Sequence, residues 1–161
     1  MNTDKIRIHF DQKVIKGDIH LDGSKSISNR ALIMKALAQG AEIRLDHLST
    51  SKDTRLMRAL LESKETVLDA GAAGTTFRFL TAYLSIQNRE VTLTGSDRMK
   101  QRPIGELANT LNEMGAKIEY LEKEGYPPLK FHPVDLKTFK RKVSIKSTIS
   151  SQYITALLMI G

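Results

Sequence analysis

The sequence predicts an α/β fold with mixed sheets, and three observations carry that prediction. Strand-like and helix-like segments alternate along the chain, the pattern expected of helices packed on a sheet. Two strand-like runs lie close together at 117–132 around Glu124-Gly125, so part of the sheet is expected to be antiparallel. A faint repeat completes the set. Leu32, Gly40, Ala41 and Ile43 recur 75 positions later as Leu107, Gly115, Ala116 and Ile118, and Ser26-Ile27-Ser28 is echoed 122 positions later by Thr148-Ile149-Ser150. Such echoes suggest repeated strand–helix units.

Taken in order, strands are expected at Lys5–Phe10, Val14–Leu21, Glu42–Leu48, Thr66–Asp69, Val91–Thr94, Lys117–Leu121, Leu129–His132 and Val143–Lys146. Helices are expected at Ser26–Ala38, Lys52–Glu62, Thr75–Ile86 and Pro103–Met114, and from Ser151 to the end. Gly40 and Gly115 stand just past two of these helices, where a left-handed residue is often needed. Pro103 suits a first helical position, because its missing N–H would have had no partner there. In the third helix Phe77, Leu80, Thr81 and Leu84 form a core-facing stripe. The closing apolar helix (Ile154, Leu157, Leu158, Ile160) has no strand after it. The expectation is therefore a truncated piece with an exposed apolar edge around Tyr153–Ile160, which invites self-association.

Bulk properties narrow the function. The chain has 161 residues, 40% hydrophobic and 27% charged, enough for one domain with a real core. No run reaches the length of a membrane helix and the first 17 residues carry charges throughout, so neither a membrane nor a signal peptide is expected. With no cysteine there is no disulfide and no thiolate. A cytoplasmic protein is the simplest reading. The net charge of +7 asks for an anionic partner. The absence of tryptophan and of interleaved aromatic and basic residues argues against a platform for stacking bases.

Four expected helix starts share hydroxyl or small residues with a nearby cation: Gly23–Arg30, Ala73–Arg78, Arg98–Pro103 and Ser147–Gln152. The first N–H groups of a helix lack partners and sit at the positive end of its dipole, so they receive an anion readily. One such segment would be an ordinary cap with solvated cations. Four in one chain favour a small anionic, phosphorylated ligand. Ser26 and Arg30 lie on one face, four apart. Lys25 offers a mobile charge and Arg30 a planar fork suited to carboxylate or phosphate. Gly74 lets a ligand approach the backbone. Neither glycine segment is a Walker or dinucleotide motif. His9, His20, His47 and His132 have no metal-ligand spacing, so no metal is expected. Asp53 reads as a dipole-stabilising residue in a first turn, and no paired carboxylates stand near the four segments.

Leu21-Asp22-Gly23-Ser24-Lys25-Ser26-Ile27-Ser28-Asn29-Arg30-Ala31-Leu32 resembles the opening signature of the EPSP synthase family. Ala73-Gly74-Thr75, Arg98–Ile104, Ser150-Ser151-Gln152 and Thr155–Met159 resemble its later blocks in the same order. The resemblance implies two lobes, each of three βαβαββ units, with the ligands between them. Residues 1–11 would belong to the second lobe, and 12–161 would be the N-terminal lobe, truncated in a later unit. It implies transfer of the enolpyruvyl group from phosphoenolpyruvate to the 5-hydroxyl of shikimate 3-phosphate, with no metal or organic cofactor. By the same resemblance Lys25 is catalytic and touches both substrates. Ser26, Arg30, Ser150, Ser151 and Gln152 join it on shikimate 3-phosphate, while Gly74, Arg98 and Gln152 join it on phosphoenolpyruvate. The acid/base carboxylates would lie downstream, in a monomeric full-length parent.

Three positions depart from the family pattern: Ala72 where asparagine is common, Phe79 where many members have proline, and Gln101 where glutamate is usual. Two alternatives are the sister transferase acting on UDP-N-acetylglucosamine and a non-catalytic basic module for nucleic-acid phosphates. The first usually opens with Lys-Asn and carries a loop cysteine, neither of which this chain has. The second predicts cations spread over one face and a steep dependence on salt.

Overall fold

A computed structural model describes residues 9, 16–38, 40–140, 142–145 and 150–161. The elements run α1 (Lys25–Leu37), α2 (Lys52–Glu62), β1 (Val67–Asp69), α3 (Gly74–Leu84), β2 (Val91–Thr94), α4 (Asp97–Lys100), α5 (Gly105–Met114), β3 (Ile118–Tyr120), β4 (Leu129–Phe131) and α6 (Ser151–Ile160), with a short 3-10 turn at Leu136–Thr138. The sheet order is β1-β2-β4-β3. β1 and β2 are parallel, whereas β4 is antiparallel to both β2 and β3. The mixed sheet and the 117–132 hairpin are thus as the sequence predicts.

Helix starts follow local chemistry. Ser24, Ser51, Ser96 and Ser150 cap α1, α2, α4 and α6 with their side-chain oxygens, each satisfying one N–H that the helix leaves open. α5 ends at Gly115 with φ of 115°, and Gly40 after α1 also has positive φ, 81°; only glycine adopts these angles without a Cβ penalty.

α3 occupies the centre. It packs against α1, α2, α5, α6 and β2, and Thr76, Phe77, Phe79, Leu80, Thr81, Ala82 and Leu84 are all buried. A helix covered by neighbours on most sides needs more than one apolar stripe, so the expected Phe77-Leu80-Thr81-Leu84 stripe is only part of its buried surface. Phe79 is fully buried inside an unbroken helix. α6 buries Tyr153, Ala156 and Leu157 while Leu158 stays exposed. The apolar edge expected over Tyr153–Ile160 is therefore confined to the face away from α3 and α1.

Several expectations are corrected. No strand forms over Glu42–Leu48. The alternation is present, with Ile43, Leu45 and Leu48 half-buried, but no described strand lies alongside, and His47 at φ 54° breaks the extended run. Residues 142–145 and 16–21 are likewise irregular; the remainder of the expected strands at 5–10, 14–21 and 143–146 lies outside the described residues, apart from His9. Pro103 is not a first helical residue. α5 begins at Gly105, because the N–H groups of Ile104 and Gly105 both donate to the Gly125 carbonyl, at 2.9 and 3.0 Å, and that docked turn fixes the helix entry. The 75-residue echo corresponds to a helix and a glycine turn in both places, but only Ile118 continues into a strand. The 122-residue echo is out of register: Ser26 and Ser28 are inside α1, whereas Ser150 caps α6.

Candidate functional site

The starts of α1, α2, α3 and α6 are tied together by side chains. At α1, Lys25 Nζ lies 3.0 Å from Asp53 Oδ2 in the first turn of α2. Thr76 in the first turn of α3 donates its hydroxyl to the Asp53 carbonyl at 3.3 Å. From the next turn of α3, Arg78 Nη1 donates to Gln152 Oε1 of α6 at 3.1 Å. Tyr153 then donates its hydroxyl to the Pro103 carbonyl at 2.7 Å, which brings the 98–103 segment against α6.

Lys25, Ser26, Ser150 and Ser151 are exposed, and Gly74, Arg30 and Gln152 are half-buried. Ser26 and Arg30 share a face, as their spacing predicts, and make contact: Arg30 Nη1 donates to the Ser26 carbonyl at 2.9 Å. Its guanidinium sits 5.5 Å above the centre of the Phe79 ring, so a buried aromatic of α3 supports it. Gly74 opens α3, whose N-cap, Ala73, gives no side-chain hydrogen bond; the first N–H groups of this helix therefore remain available to an acceptor. Ser150 caps α6 by accepting from Gln152 N at 3.3 Å.

Arg98 is exposed within four-residue α4, and the cation packed on Gly74 is Arg102. A Cβ added to Gly74 would overlap the Arg102 guanidinium and stand 2.8 Å from Arg78 Nη1. Two guanidinium groups thus converge on the start of α3. The Arg98–Pro103 segment is accordingly not a helix start; it comprises α4 and the turn before α5.

The sequence points to no ligand-facing role for Asp53 or Tyr153, and brings in Arg78 and Arg102 only as cations near two expected helix starts. Arg78 had a usable signal, since it stands four residues after Gly74 and hence on the same helical face. Asp53 and Arg102 gain their places through long-range packing, which spacing does not reveal. One carboxylate stands among these starts, Asp53 in the first turn of α2, and its partner is Lys25. Among the described residues no three His, Cys, Asp or Glu gather as a metal site, and no helix is long and apolar enough to cross a membrane.

Behind α1, Asp22 organises the loop that carries α2. Its Oδ2 accepts from Thr50 N at 2.8 Å, Thr50 Oγ1 at 2.9 Å and Ser49 Oγ at 3.3 Å. Ser49 N in turn donates to the buried Ser28 Oγ at 2.9 Å. The Thr50 N–H, then the Thr50 hydroxyl, hold the Asp22 carboxyl below its usual pKa against a smaller opposing effect of desolvation. The native pKa is the lower one, so this contribution is complete above the unfolded carboxylate pKa of about 3.9 and fades as pH falls through the native value. Asp22→Asn is expected to flatten the acid side of the stability profile, read by urea unfolding between neutral and acid pH; an unchanged profile would show that Asp22 contributes no such linkage.

Comparison with known proteins gives the family. A sequence model of the EPSP synthase (3-phosphoshikimate 1-carboxyvinyltransferase) family matches residues 11–63 and 58–161. A 3-phosphoshikimate 1-carboxyvinyltransferase of Bacteroides fragilis (strain YCH46) is 52% identical over 91% of this chain and 35% of its own length. One from Sulfurovum sp. (strain NBC37-1) is 43% identical over 91% of this chain and 40% of its own. A solved EPSP synthase from Acinetobacter baumannii superposes with a TM-score of 0.67 at 24% identity, over 90% of this chain and 38% of that one, which extends the likeness to the fold. The chain thus spans well under half the length of these relatives, and with its family matches covering nearly all of its sequence it belongs to the EPSP synthase family.

Proposed function

We propose that this chain provides the shikimate 3-phosphate wall of an enzyme that transfers the enolpyruvyl group of phosphoenolpyruvate to the 5-hydroxyl of shikimate 3-phosphate, releasing phosphate. The observation that carries the reading is the convergence of the α1, α2, α3 and α6 starts through the Lys25–Asp53, Thr76–Asp53 and Arg78–Gln152 contacts. Helix starts that meet with basic side chains suit ligands bearing phosphate and carboxylate, and both substrates bear both groups. Lys25, Ser26 and Arg30 on one side and Ser150, Ser151 and Gln152 on the other are the proposed shikimate 3-phosphate contacts. On the phosphoenolpyruvate side, beside Lys25, Gly74 and Gln152, the geometry favours Arg102 over Arg98, because Arg102 lies at Gly74.

Extent supports a division of labour. Relatives are more than twice as long, and in this proposal 12–161 is the N-terminal lobe, truncated in a later unit. The proposed acid/base carboxylates belong to the rest, so the 161 residues alone are expected to bind without turnover. The reading places the protein in the cytoplasm, with small molecules rather than nucleic acid as partners.

Calorimetric titration with shikimate 3-phosphate tests it. Arg30→Ala is expected to weaken binding about 10- to 100-fold, as loss of a charge-assisted hydrogen bond of about 1.5–3 kcal/mol implies. Turnover by the 161 residues alone would overturn the division of labour. Indifference to shikimate 3-phosphate with tight, salt-sensitive binding of duplex DNA would favour a nucleic-acid module instead.

A further inference from the structure

Arg78 is held on several sides, and its Nη1 donates to a single atom. Its guanidinium carbon lies 5.5 Å from the Tyr153 ring centre, its Nη1 would stand 2.8 Å from a Cβ added at Gly74, and its buried Nε meets no acceptor among the described residues. Its hydrogen bond goes to the side chain of Gln152. Arginine has only donors, so the Gln152 atom 3.1 Å away must be the carbonyl oxygen. The orientation of this amide, elsewhere ambiguous, is therefore dictated by chemistry. Its Nε2 faces away and makes no hydrogen bond to a described residue. The Gln152 backbone is fixed as well, through its N–H on the Ser150 cap.

We propose that Arg78 is a positioning residue that locks the Gln152 amide with its NH2 outward, so that this position offers a ligand only hydrogen-bond donors. A free glutamine presents either end and accepts a protonated group as readily as an oxygen. The locked one selects an acceptor, such as an ionised phosphate or carboxylate or an ether or carbonyl oxygen. Beside it stand the Arg102 guanidinium and the open N–H groups of α3, which are donors too, so three neighbouring groups make the same demand. The inference rests on the shikimate 3-phosphate reading only for the identity of the ligand.

The lock itself is tested without ligand. In the 15N-labelled chain the Gln152 side-chain NH2 is expected to relax as a rigid group, and in Arg78→Met as a mobile surface glutamine. Arg78→Lys keeps an aliphatic stem and a single donor nitrogen in place of the planar fork; it should give intermediate mobility and remains informative where the methionine variant fails to fold. Equal mobility in the wild type and Arg78→Lys overturns the lock. Its consequence is tested by titration with shikimate 3-phosphate. Gln152→Glu retains an acceptor for Arg78 and is expected to keep the melting temperature, yet lose at least tenfold in affinity. Arg78→Met and Gln152→Met should lose similar affinity, and the double variant no more than the larger single loss. Fully additive losses overturn the positioning role. A rigid amide in a chain that ignores shikimate 3-phosphate upholds the lock and overturns the functional reading instead.

Discussion

Phe79→Ala is expected to cost about 3–5 kcal/mol of stability, the range for removing a fully buried phenylalanine, against a total of about 5–15 kcal/mol for an ordinary domain. Phe79 has no exposed surface and sits in the helix that every other layer touches, so the cavity has little freedom to collapse. Its ring also carries the Arg30 guanidinium. A second substitution separates the two roles. Phe79→Leu keeps most of the apolar volume and should cost less than the alanine variant, yet it removes the ring face beneath Arg30 and is expected to weaken shikimate 3-phosphate binding. Urea unfolding and calorimetry on both variants read the two effects. A leucine variant with unchanged affinity would show that Arg30 needs no aromatic support.

Gly23→Ala is the second large effect, and its cause is backbone against backbone. An added Cβ would overlap the His47 carbonyl oxygen and come within 2.8 Å of Ser49 N and 2.9 Å of the Leu48 carbonyl carbon. A side chain can swing aside, but these atoms can move only with the loop. That loop is anchored by Asp22 and Ser28, so yielding would break several hydrogen bonds together. The cost is expected at or above the upper end of the roughly 1–3 kcal/mol typical of overpacking. Gly17→Ala provides the control, since nothing lies within 4 Å of its added Cβ and a change within about 0.5 kcal/mol is expected. Equal urea midpoints for the two variants would overturn the argument.

Much of this was legible in the sequence because its cause is local. Ser24 capping α1, Gly115 closing α5 and the hairpin around Gly125 each follow from residues a few positions apart. So does the Ser26–Arg30 contact, set by one helical turn. The illegible parts are those decided at a distance. Glu42–Leu48 alternates like a strand, but a ladder also needs a neighbour, and the turn at His47 is imposed by packing against Gly23. Pro103 reads as a helix start until Gly125, far along the chain, captures the N–H groups of Ile104 and Gly105. Arg98 and Arg102 are indistinguishable as cations in one short segment. Only the docking of that segment on α3 and α6 decides which reaches Gly74.

The Lys25–Asp53 pair has a consequence for discrimination among anions. Lys25 is already engaged with Asp53, so in its proposed role ligand binding at this point would be an exchange of partners. The pair is substantially exposed, with side-chain accessibilities of 50% and 34%, and such pairs are worth about 0–1 kcal/mol. The exchange therefore exacts less than one order of magnitude in affinity from any incoming group. A singly charged ligand merely replaces the carboxylate it displaces, whereas a doubly charged one gains on the trade. In the proposed site Asp53 would thus set a small entry threshold by valence, which disfavours chloride and small carboxylates by less than tenfold.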